Sequence, residues 1–175
     1  MRPGRFVLIR GTGDSVDYPE WRPLGKNSGY GMVLETPIDV PDLEYEKLSK
    51  PDVADMVELA EITGLSSEFQ PNSIEIGDYY GIKDGERLVA MAGERLKLDG
   101  YTEVAGVCTH PDCRKRGYGR GLSSLVTQRI QERGDIPFLQ VFEDNVGAIR
   151  IYEKMGFKKT LHGYYDVLLR TEVNP

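Results

Sequence analysis

The chain is poor in cysteine and histidine and has no excess of positive charge, and each shortage removes a class of function. Its cysteines, Cys108 and Cys113, and its histidines, His110 and His162, do not have the spacing of a zinc site, so no metal centre is expected. The two thiols read as reduced and structural. With 28 acidic against 22 basic residues the net charge is −6. Broad nucleic-acid binding draws its free energy from Lys and Arg neutralising phosphates, and this balance argues against it. No apolar run approaches the roughly 20 residues of a membrane span. Met1 to Arg10 lacks the apolar core and cleavage site of a secretory leader, so the expected compartment is cytoplasmic, with neither membrane nor nucleic acid as partner. What is present, 175 residues of balanced apolar and charged content, suffices for one well-buried domain.

Residues 1–42 carry many Gly and Pro and, apart from "RFVLIR" and "YGMVLE", little periodicity. They read as a loosely ordered arm with short strands, followed by the folded domain over 43–175. In "SKPDVADMVELAEI", Ser49 and Asp52 form a capping-box start, and Val53, Met56, Val57 and Ala60 trace one helical face. "DYYGI", "ERLVAMAGERLKL" and "TEVAGVCT" are β-rich and separated by Asp-Gly turns, which predicts an antiparallel meander. Leu122, Leu125, Val126 and Ile130 then repeat at helical spacing up to Gly134, and "PFLQVF" follows as a buried strand. Strand, helix and strand make a right-handed βαβ crossover. A helix over Val146–Met155 ends at Gly156, and "FKKTLHGYYDVLLR" is expected to close the chain as a hairpin. The fold class is α/β of α+β type, with a mixed central sheet.

Within this order the stretch Arg114–Gly121, "RKRGYGRG", concentrates four cations and three glycines between a strand and a helix. The first turn of a helix offers unpaired N–H groups and a positive partial charge, and glycines let an anion approach that backbone. Neither G-x-x-x-x-G-K-[ST] nor G-x-G-x-x-G is present, which excludes the P-loop and dinucleotide fingerprints. A diphosphate fits the stretch better than a duplex. The competing readings are a solvated basic helix start, or an RG-rich nucleic-acid segment around Tyr118, which the net charge and the βαβ setting oppose.

The string Val107–Gly119, "VCTHPDCRKRGYG", resembles the acyl-CoA signature of the GNAT N-acetyltransferase superfamily, [QR]-x-x-G-x-[GA] after a strand, matched by Arg114, Gly117 and Gly119. A second family element, N-x-x-A-x-x-x-Y-x-x-x-G-F, is intact as Asn145, Ala148, Tyr152, Gly156 and Phe157. The resemblance covers about Leu43 to Arg170 and is nearest to the branch that looks like the C-terminal region of glycine N-acyltransferases. It implies a GNAT fold and acetyl-CoA as cofactor. The diphosphate would lie on Arg114, Lys115, Arg116, Gly117, Tyr118, Gly119, Arg120 and Gly121, and Val107, Cys108 and Thr109 would run along the pantetheine. The implied activity is acetyl transfer to a primary amine of a small molecule, amino acid or peptide, by direct attack in a ternary complex. A non-catalytic acyl-CoA-binding module is the rival.

Two residues carry the expected chemistry. Glu103 lies on the strand entering the loop, and period-two geometry puts Tyr101, Glu103, Ala105 and Val107 on one face. It is read as the base that deprotonates the acceptor directly or through water, or else as a carboxylate paired with Arg95 or a lysine; Glu94 is the reserve base. Tyr152 is read as the acid that protonates the departing thiolate, or else as a core tyrosine. Asn145 either caps its helix or bonds to the cofactor, and both can hold. The acceptor is expected to meet "TGLSSEFQPNSIEIG" and "HGYYDVLLR".

Overall fold

The computed structural model describes residues 6–11, 21–66 and 69–170. In chain order its elements are β1 (Phe6–Gly11), β2 (Trp21–Val33), β3 (Glu46–Leu48), α1 (Val53–Thr63), β4 (Tyr79–Asp84), β5 (Arg87–Leu98), β6 (Tyr101–Thr109), α2 (Tyr118–Glu132), β7 (Ile136–Phe142), α3 (Val146–Met155) and β8 (Lys158–Arg170). The helices start and stop where side-chain chemistry dictates. Ser49 N–H and Oγ both donate to Asp52 Oδ2, at 2.9 and 3.1 Å, and close the turn that feeds α1. Gly64 and Gly156, with φ of 78° and 99°, end α1 and α3 in the left-handed conformation that glycine adopts without strain. Among the described residues no helix is long and apolar enough to cross a membrane.

The strands form one eight-stranded sheet in the order β1-β8-β2-β7-β6-β5-β4-β3. Every pairing is antiparallel except β6 with β7. Gly85 and Gly100, at φ 64° and 71°, turn the β4–β5–β6 meander as the Asp-Gly pairs predict. Helix α2 covers one face through Leu122, Leu125, Val126 and Ile130, joined by Ile149, Tyr152 and Met155 of α3. Helix α1 covers the other through Met56, Leu59 and Ala60 against Tyr79, Leu88, Met91 and Cys108.

Two expectations differ from what the sheet shows. The segment read as an arm supplies β2, a 13-residue strand held between β7 and β8 along most of its length. A boundary between residues 42 and 43 therefore does not separate the sheet from what precedes it. The expected terminal hairpin is a single strand, because Gly163 continues the ladder opposite Gly29 instead of turning. Beyond that point β8 pairs with β2 on one edge and β1 on the other. Residues 1–5 and 12–20 of the expected arm, Ser67 and Glu68 of an expected acceptor segment, and the side chains of 165–170 lie outside the described residues.

After β2 the chain runs over the outer side of α2. Gln131 Nε2 donates to the Thr36 carbonyl at 2.7 Å near the end of the helix. Leu43 packs at its start, where a Cβ on Gly121 would lie 2.8 Å from Leu43 Cδ2.

Candidate active site

Strand β6 ends at Thr109 and is followed by a short turn, Pro111–Cys113, in which the His110 ring accepts from Asp112 N–H at 3.3 Å. Arg114 Nε donates back to the Thr109 carbonyl, 3.3 Å away, so one cation of the basic stretch fastens the loop to the strand it leaves. Lys115 and Gly117 both have positive φ, 64° and 86°, and the reversal presents the start of α2 to solvent. Gly117 is its N-cap and no side chain caps the helix. Its first internal bond runs from Gly121 N–H to the Gly117 carbonyl, 2.9 Å. The N–H groups of Tyr118, Gly119 and Arg120 thus have no acceptor within the helix.

The three glycines of the stretch have different work. Gly117 is there for its backbone angle, and no described residue lies within 4 Å of where its Cβ would be. Gly119 faces the end of β6, and its Cβ would sit 3.5 Å from Thr109 Oγ1 and 3.9 Å from Val107 Cγ1, ordinary contacts that leave room for alanine. Gly121 makes room for Leu43. Its missing side chain points at the covering chain segment, which gives this glycine a packing role.

Beside the loop the sheet opens. The β6–β7 ladder runs from Tyr101 opposite Ile136 to Glu103 opposite Phe138 and ends there. From Leu139 to Phe142, β7 pairs with β2 on its other edge, and from Val104 to Thr109 β6 pairs with β5. Two inner strand edges therefore diverge toward the basic loop. On β6 the divergence coincides with a bulge, where Met91 lies opposite Cys108 but Gly93 opposite Ala105. The extra residue falls at Gly106, whose φ is 64°, and a Cβ there would meet the Tyr79 ring at 2.8 Å.

The bulge corrects the face assignment made from period two. Val104 and Val107 both pack toward α2, which residues three apart on a regular strand cannot do. Cys108 packs toward α1. Glu103 and Val107 are accordingly on opposite faces.

Glu103 is a buried carboxylate with most of its hydrogen-bonding capacity already used. It is 1% exposed and held by Arg95, whose Nε donates to Oε2 at 2.9 Å and Nη2 to Oε1 at 2.8 Å. Gln140 Nε2 donates to Oε1 from β7, at 3.0 Å. The pairing with Arg95 that the sequence left open is thus present, but buried. Glu94 is fully buried and bound to Arg133 at the end of α2; Lys97 Nζ lies 3.1 Å from its other oxygen, off the direction of a hydrogen bond. It is a structural anchor and not a reserve base. Tyr152 is buried in the core under α3, its ring edge-on to Phe157 with centroids 5.9 Å apart. Asn145 Oδ1 accepts from Ala148 N–H at 3.2 Å and caps α3. The Cys108 thiol, 8% exposed, is pushed up to about 11 chiefly by burial, which makes it a packing group. Among the described residues no His, Cys, Asp and Glu cluster could hold a metal.

The family described as FR47-like protein matches residues 79–165, the span that holds the meander, the loop and α3. A putative acetyltransferase from the GNAT family of Novosphingobium aromaticivorans superposes with a TM-score of 0.83, at 28% identity, over 96% of this chain and 75% of its own. The chain belongs to the GNAT N-acetyltransferase superfamily. The [ribosomal protein bS18]-alanine N-acetyltransferase of Salmonella typhimurium is 29% identical over 94 residues, 48% of this chain. A Bacillus subtilis protein named as an uncharacterized N-acetyltransferase, YobR, is 27% identical over 90 residues, 51% of this chain. This chain spans 63% and 36% of those two relatives' lengths.

GNAT acetyltransferases generally use acetyl-CoA, and the residues present here fit that molecule. The start of α2 offers the N–H groups of Tyr118, Gly119 and Arg120, which have no acceptor within the helix, among four cations, a donor set that suits a diphosphate. Beyond Glu103 the edge of β6 has no ladder to β7, which suits the amides of a pantetheine. The sequence reading missed Gln140, the β7 partner of Glu103. Its only signal was a polar residue inside the apolar run "PFLQVF".

Proposed function

We propose that this GNAT chain is an acetyl-CoA-dependent N-acetyltransferase that moves an acetyl group to a primary amine by direct attack in a ternary complex. The observation that carries the reading is the parting of β6 from β7 immediately before an uncapped, glycine-bearing helix start. Acetyl-CoA supplies an activated thioester. Backbone N–H groups of Tyr118, Gly119 and Arg120, with Lys115 and Arg116 at the rim, hold its diphosphate. Val107, Cys108 and Thr109 pair with the pantetheine amides as they would with a neighbouring strand. A backbone N–H near Val107 or Cys108 polarises the acetyl carbonyl. The amine nitrogen bonds to the acetyl carbon as the carbon–sulfur bond breaks, and the electron pair leaves on sulfur. Tyr152 supplies the proton to that thiolate. From a phenol of pKa about 10 to a thiol of about 8.5 this step is uphill by roughly 2 kcal/mol, a small part of an acyl-transfer barrier.

The acceptor's own proton decides the substrate class. Three of the four lone-pair directions of Glu103 are taken, so base catalysis through it runs by a relayed water on the fourth. Such a relay is weak help for a lysine-like amine of pKa about 10.4, which costs roughly 4.6 kcal/mol to neutralise at pH 7. An α-amino group of pKa about 7.8 costs only about 1 kcal/mol. Amino acids and peptide N-termini are the preferred acceptors on this account, a class that includes the alanine in the name of the Salmonella relative. The test is thiol release from acetyl-CoA with amino acids, peptides, lysine derivatives and polyamines. Amine-dependent release, fastest with α-amino groups at pH 7, is expected. CoA binding with no amine-dependent release would instead identify a non-catalytic acyl-CoA-binding module.

A further inference from the structure

The charged triad at the root of the β6–β7 opening has a place that burial alone does not explain. Glu103 belongs to the last pair of the parallel ladder, opposite Phe138. Gln140, two residues further along β7 and on the same face, reaches back diagonally to Glu103 Oε1 at 3.0 Å. Arg95 grips the same carboxylate from β5 through two nitrogens, where an irregularity between Glu94 and Lys97 shifts the β5–β6 register. Three adjacent strands are therefore fastened to one buried carboxylate at the point where two of them part. Burying a carboxylate is expensive unless hydrogen bonds replace its water, and an apolar pair of similar volume would hold the strands at less cost. What the charged arrangement adds is direction. The bidentate Arg95 fork fixes the plane of the carboxylate, and that plane fixes where Gln140 must lie. On the far side of Gln140, β7 is held by β2 through Gly31.

We propose that Arg95, Glu103 and Gln140 form a clamp that sets the width at which β7 leaves β6, and that Gln140 is a positioning residue for the pantetheine arm. The inference rests on the acetyl-CoA reading above. It separates the two ends of the ligand: the diphosphate meets α2 and its loop, which the clamp does not touch, whereas the pantetheine meets the opening that the clamp defines.

The experiment compares wild type with Gln140→Leu, which removes the tie to β7 and leaves Arg95 on Glu103. Calorimetry with CoA and with ADP is paired with hydrogen exchange of the amides of Tyr101–Glu103 and Phe138. The clamp predicts at least a fivefold loss of CoA affinity, ADP affinity within twofold of wild type, and faster exchange in the short ladder. Unchanged CoA affinity, or equal losses for CoA and ADP, would overturn it. Gln140→Met, an unbranched chain of similar length, serves if the leucine variant does not fold, with the same outcomes. Should wild type itself fail to bind CoA, the acetyl-CoA reading falls and hydrogen exchange alone decides the clamp, with unchanged exchange refuting it.

Discussion

Gly119 allows affinity for the cofactor to be separated from stability. It is the second residue of α2, and an added Cβ makes only ordinary contacts with Thr109 Oγ1 and Val107 Cγ1 at 3.5 and 3.9 Å. Gly119→Ala should therefore displace nothing, and helix propensity favours it by up to about 1 kcal/mol. Gly119→Asp adds a carboxylate to the first turn, where the helix dipole stabilises it by about 0.3–1 kcal/mol. Neither variant should melt below wild type. Their effects on CoA should differ sharply. One carboxylate about 5 Å from a diphosphate bearing two charges is repelled by about 2 kcal/mol at the dielectric constant of water and about 7 kcal/mol at the effective value near a protein surface. At about 1.4 kcal/mol per decade, the lower figure already exceeds a tenfold loss. Calorimetric titration with CoA, beside a thermal melt of each variant, reads both quantities. A well-folded Gly119→Asp variant that binds CoA within twofold of wild type would refute the placement of the diphosphate. A comparable loss in Gly119→Ala would refute the clearance argument.

Further expectations concern single side chains. Tyr152→Phe keeps the ring against Phe157 and removes the donor, so kcat should fall with little change in melting temperature or CoA affinity; full kcat with chemistry rate-limiting would remove Tyr152 from the mechanism. Gly117→Ala forces alanine to φ 86° and should cost about 1–2 kcal/mol, a fall of roughly 2–8 °C in melting temperature for a chain of this size. Bonds from Ser28, His162 and Tyr30 hold the Glu143 carboxyl below its ordinary value of 4.5. The stability they give is present above that pH and is lost as pH falls through the lower folded value. Glu143→Gln should therefore narrow its gap to wild type in melts below about pH 4, and a gap constant from pH 7 to pH 3 would contradict this. Cys108, with its thiol near 11, should react with disulfide reagents at pH 8 only on unfolding, and rapid native labelling would count against its burial.

Much of the fold was legible because it is written in local periodicity. Val146–Met155 with Gly156 behind it, the Asp-Gly turns and the Leu122–Ile130 repeat each need only neighbouring residues to be read. β2 was not legible. "WRPLGKNSGYGMV" holds a proline and three glycines, and its partners on β7 and β8 lie more than 100 residues away, so its place is set by contacts that no local pattern records. The same distance hid the continuity of β8, whose Gly163 invites a turn until β2 is placed beside it. At the site, the anion loop could be read from glycine and charge. The side of the sheet that Glu103 faces could not, because one bulge at Gly106 reverses every later side chain. Nor could the three uses of glycine in "RGYGRG" be told apart, since Gly121 answers to Leu43, a residue far earlier in the chain.

The central claim is that acetyl-CoA lies along β6 with its diphosphate on the start of α2. Amide chemical-shift mapping on addition of CoA tests it most directly. The largest changes should fall at Val107, Cys108 and Thr109 and from Lys115 to Arg120, with smaller ones at Asn145 and Gln140. A separate cavity of about 260 Å³, lined by Asp55, Glu58, Glu86, Arg87 and His110 on the α1 face, should stay silent apart from His110, which adjoins the β6 end. Shifts centred on Asp55, Glu58 and Glu86, with Gly117 to Arg120 unmoved, would contradict the account.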